Sequence, residues 1–179
     1  MIRNHHSRCI QATVAQAEAL LARLGSDQDG MWPKGRWPAM RFEGGLRPGA
    51  EGGHGPIRYV VEHLDARHAR FRFTGPRGFE GWHGFELAPD EISGVRIIHR
   101  LHMKAEGRAL FAWAFVFRWL HDACQEDLLD RAQATLEGTP WAPRPLPLHV
   151  RALRRLMGGS AARARAARES AAIALERAV

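Results

Sequence analysis

The stretch from Leu110 to Leu136 constrains the fold more than any other part of the chain. It opens with an uninterrupted apolar run, Leu110 to Phe117, and passes through Trp119 into Leu120, Cys124, Leu128, Ala132 and Leu136, one at every fourth position. On a helix of about 3.6 residues per turn this spacing makes a slowly drifting apolar stripe. Asp122, Glu126, Asp130, Gln133 and Glu137 fall on the opposite face. The pattern predicts one long helix with a buried, nearly all-apolar first half and a second half covered on one side only, its acidic face toward water. Such a helix needs an apolar surface to lie on.

The preceding residues supply one. From Pro56 the period is two: Ile57, Tyr59, Val61 and His63 alternate with Arg58, Val60, Glu62 and Leu64, Asp65 to His68 turns the chain, and Ala69, Phe71 and Phe73 alternate with Arg70 and Arg72. The next strand, Phe79 to Ala88, puts Phe79, His83, Phe85 and Leu87 on one side and Glu80, Trp82 and Glu86 on the other. After a turn at Pro89 to Gly94, Val95, Ile97, His99, Leu101 and Met103 share a face opposite Arg96, Ile98, Arg100 and His102. The four strands read as an antiparallel meander that Gly107 ends just before the long helix. Arg70 and Arg72 are expected to pair across strands with Glu80 and Glu86 on the solvent side.

Upstream, Ser7 to Ala12 reads as a first strand. Thr13 reads as the N-cap of a helix carrying Val14, Ala17, Leu20, Leu21 and Leu24 up to Gly25. Ser26 to Gly55, with its glycines, prolines and two Trp-Pro steps, is expected to be irregular apart from a short strand near Met40 to Phe42. Trp32 and Trp37 in that segment either close a pocket mouth or anchor the loop. After Gly138 a Pro-rich connector leads to a short basic helix, His149 to Met157, and then to an Ala/Arg-rich helix capped by Ser160. The expected organisation is an α+β domain over residues 1–138 and a connector with a basic helical extension over 139–179.

The formal charge of +7 raises the question of nucleic acid. Eight arginines against Glu169 and Glu176 place +6 of it in residues 139–179, so the body carries +1. A nearly neutral body excludes a nucleic-acid-binding core, whose affinity depends on concentrated phosphate neutralisation. The extension, over residues 149–177, suits a peripheral membrane surface or an acidic protein. Cys9 and Cys124 are too few and too far apart for a metal motif or disulfide framework and read as small buried side chains. The N-terminal residues have no signal-peptide pattern, and Arg118 interrupts the longest apolar run, so a cytoplasmic protein of bacterial type is expected.

Four local stretches carry a resemblance to a known family. They are Gly53-His54-Gly55-Pro56-Ile57-Arg58-Tyr59, Arg70-Phe71-Arg72-Phe73-Thr74-Gly75-Pro76, Gly78-Phe79-Glu80-Gly81-Trp82-His83-Gly84-Phe85-Glu86, and the helical His121 to Ala132. With the order strand, helix, irregular segment, meander and long helix, residues 5–138 resemble the SRPBCC, or START-like, superfamily near its polyketide cyclase/dehydrase-like members. The resemblance implies a helix-grip fold and a ligand pocket. Members carry lipids, hormones and polyketide-like molecules, and some are enzymes.

The apolar faces lead to the same expectation independently, because a curved sheet wrapped around a helix leaves a cavity where the two diverge. Its expected walls are Tyr59, Val61, Phe71, Phe73, Phe85, Ile97, Leu101, Trp113 and Phe117, with His83 and His99 orienting polar atoms of a small hydrophobic ligand. A histidine-dependent cyclase or dehydratase is the alternative, although the inward faces offer no paired carboxylate or nucleophile. No His-x-His or His-x-x-x-His pair with a nearby carboxylate appears, so neither metal nor cofactor is expected.

Overall fold

The computed structural model of the protein describes residues 1–158. Two compact units make up the chain: Met1–Arg144, and a second beginning at Pro145. In the first, seven strands form one antiparallel sheet in the order β1-β7-β6-β5-β4-β3-β2. The strands are β1 (Ile2–Gln11), β2 (Arg41–Phe42), β3 (Glu51–His54), β4 (Ile57–Leu64), β5 (His68–Gly75), β6 (Phe79–Asp90) and β7 (Gly94–Ala105). A short helix α1 (Val14–Leu21) follows β1. The long helical element comprises α2 (Arg108–Ala112), a π-helical turn (Trp113–Phe117) and α3 (Arg118–Leu136). This is an α+β helix-grip architecture. In the second unit residues 148–158 are helical, and the Ala/Arg-rich helix expected from Ser160 onward lies outside the described residues.

The meander β4 to β7 forms because its alternation places Tyr59, Phe71, Phe73, Phe79, Phe85, Ile97 and Leu101 on one buried face. A side chain at Gly81 (φ 142°) would collide with the His102 carbonyl, so glycine lets β6 lie close along β7 there. Two expectations about the sheet are corrected. His63 is exposed, because a register shift between Val61 and His63 breaks the alternation and turns the ring out toward Asp65. The arginines also find other partners: Arg70 opposes Gly84 and stacks over Trp82, Arg72 approaches Glu62, and Glu86 pairs with Arg100.

β1 starts at Ile2, five residues before the expected Ser7, and pairs with β7 from Ile2↔Met103 to Gln11↔Gly94. Its inward positions Asn4, His6 and Arg8 are polar, so an apolar alternation could reveal only its end at Ile10. Cys9 points out and is exposed, contrary to the buried expectation, since Ile10 takes the inward phase. α1 carries the expected cap: Gln16 N–H donates to Thr13 Oγ1 at 3.2 Å and Thr13 N–H to Gln16 Oε1 at 2.8 Å. The helix stops at Leu21, and Leu24 is buried in the turn that follows.

The irregular segment is held by its own chemistry. Buried Asp29 accepts hydrogen bonds from the backbone N–H groups of Gly25, Met31 and Trp32 at 2.8, 2.7 and 2.8 Å. Asp29→Ala would remove a charged acceptor from three donors and is expected to lower stability by about 2–4 kcal/mol, as read by urea denaturation. A loss under about 0.5 kcal/mol would show that the loop holds without it. Trp32 and Trp37 are buried and serve as anchors rather than a lid, with Trp32 Nε1 donating to the Pro38 carbonyl and Trp37 Nε1 to Asp127 on α3. The segment also holds β3, which was not expected, and His54 ends that strand instead of sitting in a loop.

The long helix departs most from expectation. Its apolar first half is largely exposed, with Phe111 and Phe115 66% and 69% accessible and Leu110 and Trp119 also exposed. Only one side of it meets the sheet, where Trp113 joins Phe73, Phe79, Leu101 and Met103, with Ala109 and Phe117 packed against them. The second half is the better covered. Cys124, Leu128 and Ala132 are buried as the stripe predicts, and Gln125, Asp127 and Leu129 are buried beside them. Its acidic face lies along β1, with Glu126 half-exposed between the two.

Candidate functional site

The inward positions of β4 to β7 converge on His83. Its ring lies 5.0 Å from Tyr59, 5.2 Å from Phe71 and 5.0 Å from Phe73, centroid to centroid, with Phe73 stacked on it. His99, one strand over, comes within 5.6 Å of His83 and 5.1 Å of Phe85, and His99 Nε2 and His83 Nδ1 share a 3.4 Å hydrogen bond. Of the expected wall residues, Tyr59, Phe71, Phe73, His83, Phe85 and His99 thus form one aromatic group. Leu101 and Trp113 join Phe73 in a second group toward the start of the long helix, with half-buried Phe117 at its margin. Val61 and Ile97 are buried on the same inward face, opposite Phe71 and Leu87.

Three further histidines extend this group into a file. His54 reaches His83 at 6.5 Å and donates to, or accepts from, Tyr59 Oη at 3.2 Å. At the other end His99 meets His121 of α3 at 5.1 Å, and His121 meets His6 of β1 at 5.8 Å. Five imidazoles therefore run from β3 through the sheet's inner face to the seam between β1 and α3. Three of their nitrogens, His83 Nε2, His99 Nδ1 and His121 Nε2, are buried and make no hydrogen bond to a described residue.

Burial dominates the protonation of this file. Loss of hydration, reinforced by neighbouring histidines, pushes His83 and His99 well below their usual range, and burial brings His54 down to about 3. These rings are neutral near pH 7. Burial also raises the Tyr59 phenol, which stays protonated. At the outer end the sign reverses: burial opposes the charge on His6, but hydrogen bonds from its ring to Asp122 and Glu126 raise it above its ordinary value. Asp122, which burial alone would raise, is held well below the usual carboxylate range by His121, His6 and Asn4.

The seam itself is a ladder of polar pairs. Asn4 donates to Asp122 at 2.8 Å, His6 meets Glu126 at 2.8 Å and Asp122 at 3.2 Å, and Arg8 pairs with Asp130 and, at 3.0 Å, with Glu126. Two strand residues advance about 6.7 Å and four helix residues about 6.0 Å, so Asn4, His6 and Arg8 keep step with Asp122, Glu126 and Asp130. That matched pair of periods is the sequence signal by which His6 and Asp122 could have been found.

A groove of about 680 Å³ opens at the other end of the file, over β2, β3 and β4. Ala39, Phe42, His54 and Tyr59 line it together with the charged Arg41, Glu43, Glu51 and Arg58. Of the expected wall residues only Tyr59 reaches this groove, which makes it the link between the groove and the aromatic interior.

No family model and no curated protein sequence matches the chain. Solved structures do match in fold. CalU16 from Micromonospora echinospora is 12% identical, with 88% of this chain and 82% of that one covered at a TM-score of 0.51. The di-domain ARO/CYC StfQ from the steffimycin biosynthetic pathway is 14% identical over 76% of this chain and 51% of its own, at 0.54. Ara h 8.0201 is 9% identical over 77% and 99%, at 0.53. At these identities the likeness is one of fold, and the fold is a helix grip.

Proposed function

Proceeding from the helix-grip fold of SRPBCC proteins, we propose that this chain binds a small, largely apolar molecule bearing at least one hydrogen-bonding atom, held against the aromatic face between sheet and long helix. The observation that carries this reading is the set of three buried histidine nitrogens, on His83, His99 and His121, without hydrogen-bond partners among the described residues. A buried polar group left without a partner costs about 1–3 kcal/mol, and apolar side chains would fill the same space without that cost. A ligand oxygen or nitrogen would satisfy them, while Phe71, Phe73, Phe85 and Trp113 would contact its apolar part. Entry would run through the groove and past Tyr59, which belongs to both. The neighbours in fold, one of them an ARO/CYC protein of a biosynthetic pathway, support the class of ligand. Acid–base catalysis gains little support here, since burial holds His83 and His99 far below the pKa near ambient pH that a strong general base needs.

Native mass spectra of freshly purified full-length chain are expected to show an added mass that leaves on unfolding. The same ligand, or an apolar probe carrying a carbonyl or hydroxyl, should bind His99→Leu roughly tenfold more weakly, the loss of one hydrogen bond of about 1.4 kcal/mol. The reading fails if spectra show only the chain and such probes leave tryptophan emission unchanged. It also fails in its polar part if His99→Leu binds as well as the parent.

A further inference from the structure

His6, His121 and Asp122 stand close enough to share one cation. A donor atom from each lies within 4.8 Å of the others. His6 Nε2 is 3.2 Å from Asp122 Oδ1, and His121 Nδ1 is 3.4 Å from the same oxygen. Two ligand atoms bound at about 2.0–2.1 Å with tetrahedral angles sit about 3.3–3.4 Å apart, so these two edges are already those of a zinc-type site.

The surrounding contacts favour the ligating forms. Glu126 Oε1 lies 2.8 Å from His6 Nδ1, the carboxylate–histidine contact that places a proton on Nδ1 and turns Nε2 inward. In the metal-free chain a proton on Nε2 bridges the ring to the Asp122 carboxylate, and a divalent cation would take that proton's place. Asn4 supplies the second observation. Its Nδ2 donates to Asp122 Oδ1 at 2.8 Å, while its own Oδ1 is buried and without a partner. Turning the carboxamide over would put that oxygen beside the same point as a fourth donor.

We infer that His6 Nε2, His121 Nδ1 and Asp122 Oδ1 form a binding site for a divalent transition-metal ion of zinc type, joining β1 to α3. Nitrogen and carboxylate donors in this number suit zinc(II) and cobalt(II) over calcium or magnesium, which take six or more oxygens or keep their water. Local sequence spacing conceals the site because its first ligand and the other two lie at opposite ends of the domain. It shares His121 with the apolar-ligand reading, through Nδ1 where that reading uses Nε2, and neither requires the other.

Cobalt(II) is a direct probe, because its visible absorption reports coordination. Chelator-treated full-length chain is expected to take up one cobalt ion per chain with bands of four- or five-coordinate geometry, displaced by zinc. Glu126→Gln should weaken binding about 10- to 100-fold by loosening His6, and His6→Ala and Asp122→Asn should weaken it more. His5→Ala, on the outer face of β1, should leave it unchanged, and zinc should raise the Tm of the parent but not of His6→Ala. Circular dichroism establishes which variants are folded, and Glu126 is half-exposed, so Glu126→Gln is expected to be readable even where His6→Ala is not. The inference is overturned by an absence of cobalt bands, by binding indifferent to both of those variants, or by binding lost with His5→Ala.

Discussion

Lowering the pH below 6.5 is expected to destabilise the metal-free chain steadily, by about 1.4 kcal/mol per pH unit for a ring such as His54 whose folded pKa is about 3. His54, His83 and His99 are the main sources. Burial holds each of these rings well below the ordinary value of 6.5, so in that window the unfolded chain takes up protons that the native rings refuse. They cost no stability above pH 6.5 and a growing amount as pH falls below it. His6 runs the other way, its contribution complete below 6.5 and lost as pH rises through its raised folded value, so it adds no slope in the acid window. Asp122 has the depressed carboxylate's sign, its stabilisation present above the ordinary value of 3.8 and lost only at lower pH. Urea denaturation across this range should therefore show a steep slope that His83→Phe reduces without abolishing. A flat profile from pH 6.5 to about 5 would mean that these rings are not neutral and buried together.

Replacing Asp127 with alanine should cost about 3 kcal/mol and lower the Tm by roughly 6–12 °C. This carboxylate is buried at 5% exposure on α3 and accepts from Arg36 Nε and Trp37 Nε1, both at 2.6 Å, tying the irregular segment to the helix. The cost arises from taking away the negative partner of a largely desolvated guanidinium, not from the pair's net worth. Asp127→Asn, which keeps an acceptor, should lose less than half as much. The segment continues through Ala39 into Arg41 and Phe42, which line the groove, so the alanine variant should also weaken ligand uptake. A Tm within about 2 °C of the parent would show that Trp37 and Arg36 are held by other means.

These expectations depend on features that local pattern exposes unevenly. The meander from Ile57 to Met103 and the buried stripe of Cys124, Leu128 and Ala132 were legible because period two and period 3.6 are written into consecutive residues. His83 and His99 were placed on the inner face by the same phase. His63 was misplaced because a bulge at Val61/His63 changes the phase without a local mark. The exposed faces of Phe111 and Phe115 were not legible either, since hydrophobicity reports what a residue prefers, while the extent of the sheet beneath it decides what is covered. The role of His6 and Asp122 depended on which strand lies beside α3. That pairing joins the two ends of the domain, and no window of neighbouring residues contains it.

The pairing of β1 with β7 also bears on how the protein is made. β1 leaves the ribosome before the rest of the domain, yet its partners, from Gly94 to Met103, follow some 83 to 101 residues later, and the helix that receives Asn4, His6 and Arg8 later still. Until then the strand has no ladder to join. Closing so long a loop makes this step slow compared with formation of the local hairpins. Synthesis at about 5–20 residues per second adds several seconds during which the meander can form but the sheet cannot be completed. The domain is therefore finished from its two ends only after translation of α3, and the N-terminal strand is the segment most in need of protection on the nascent chain.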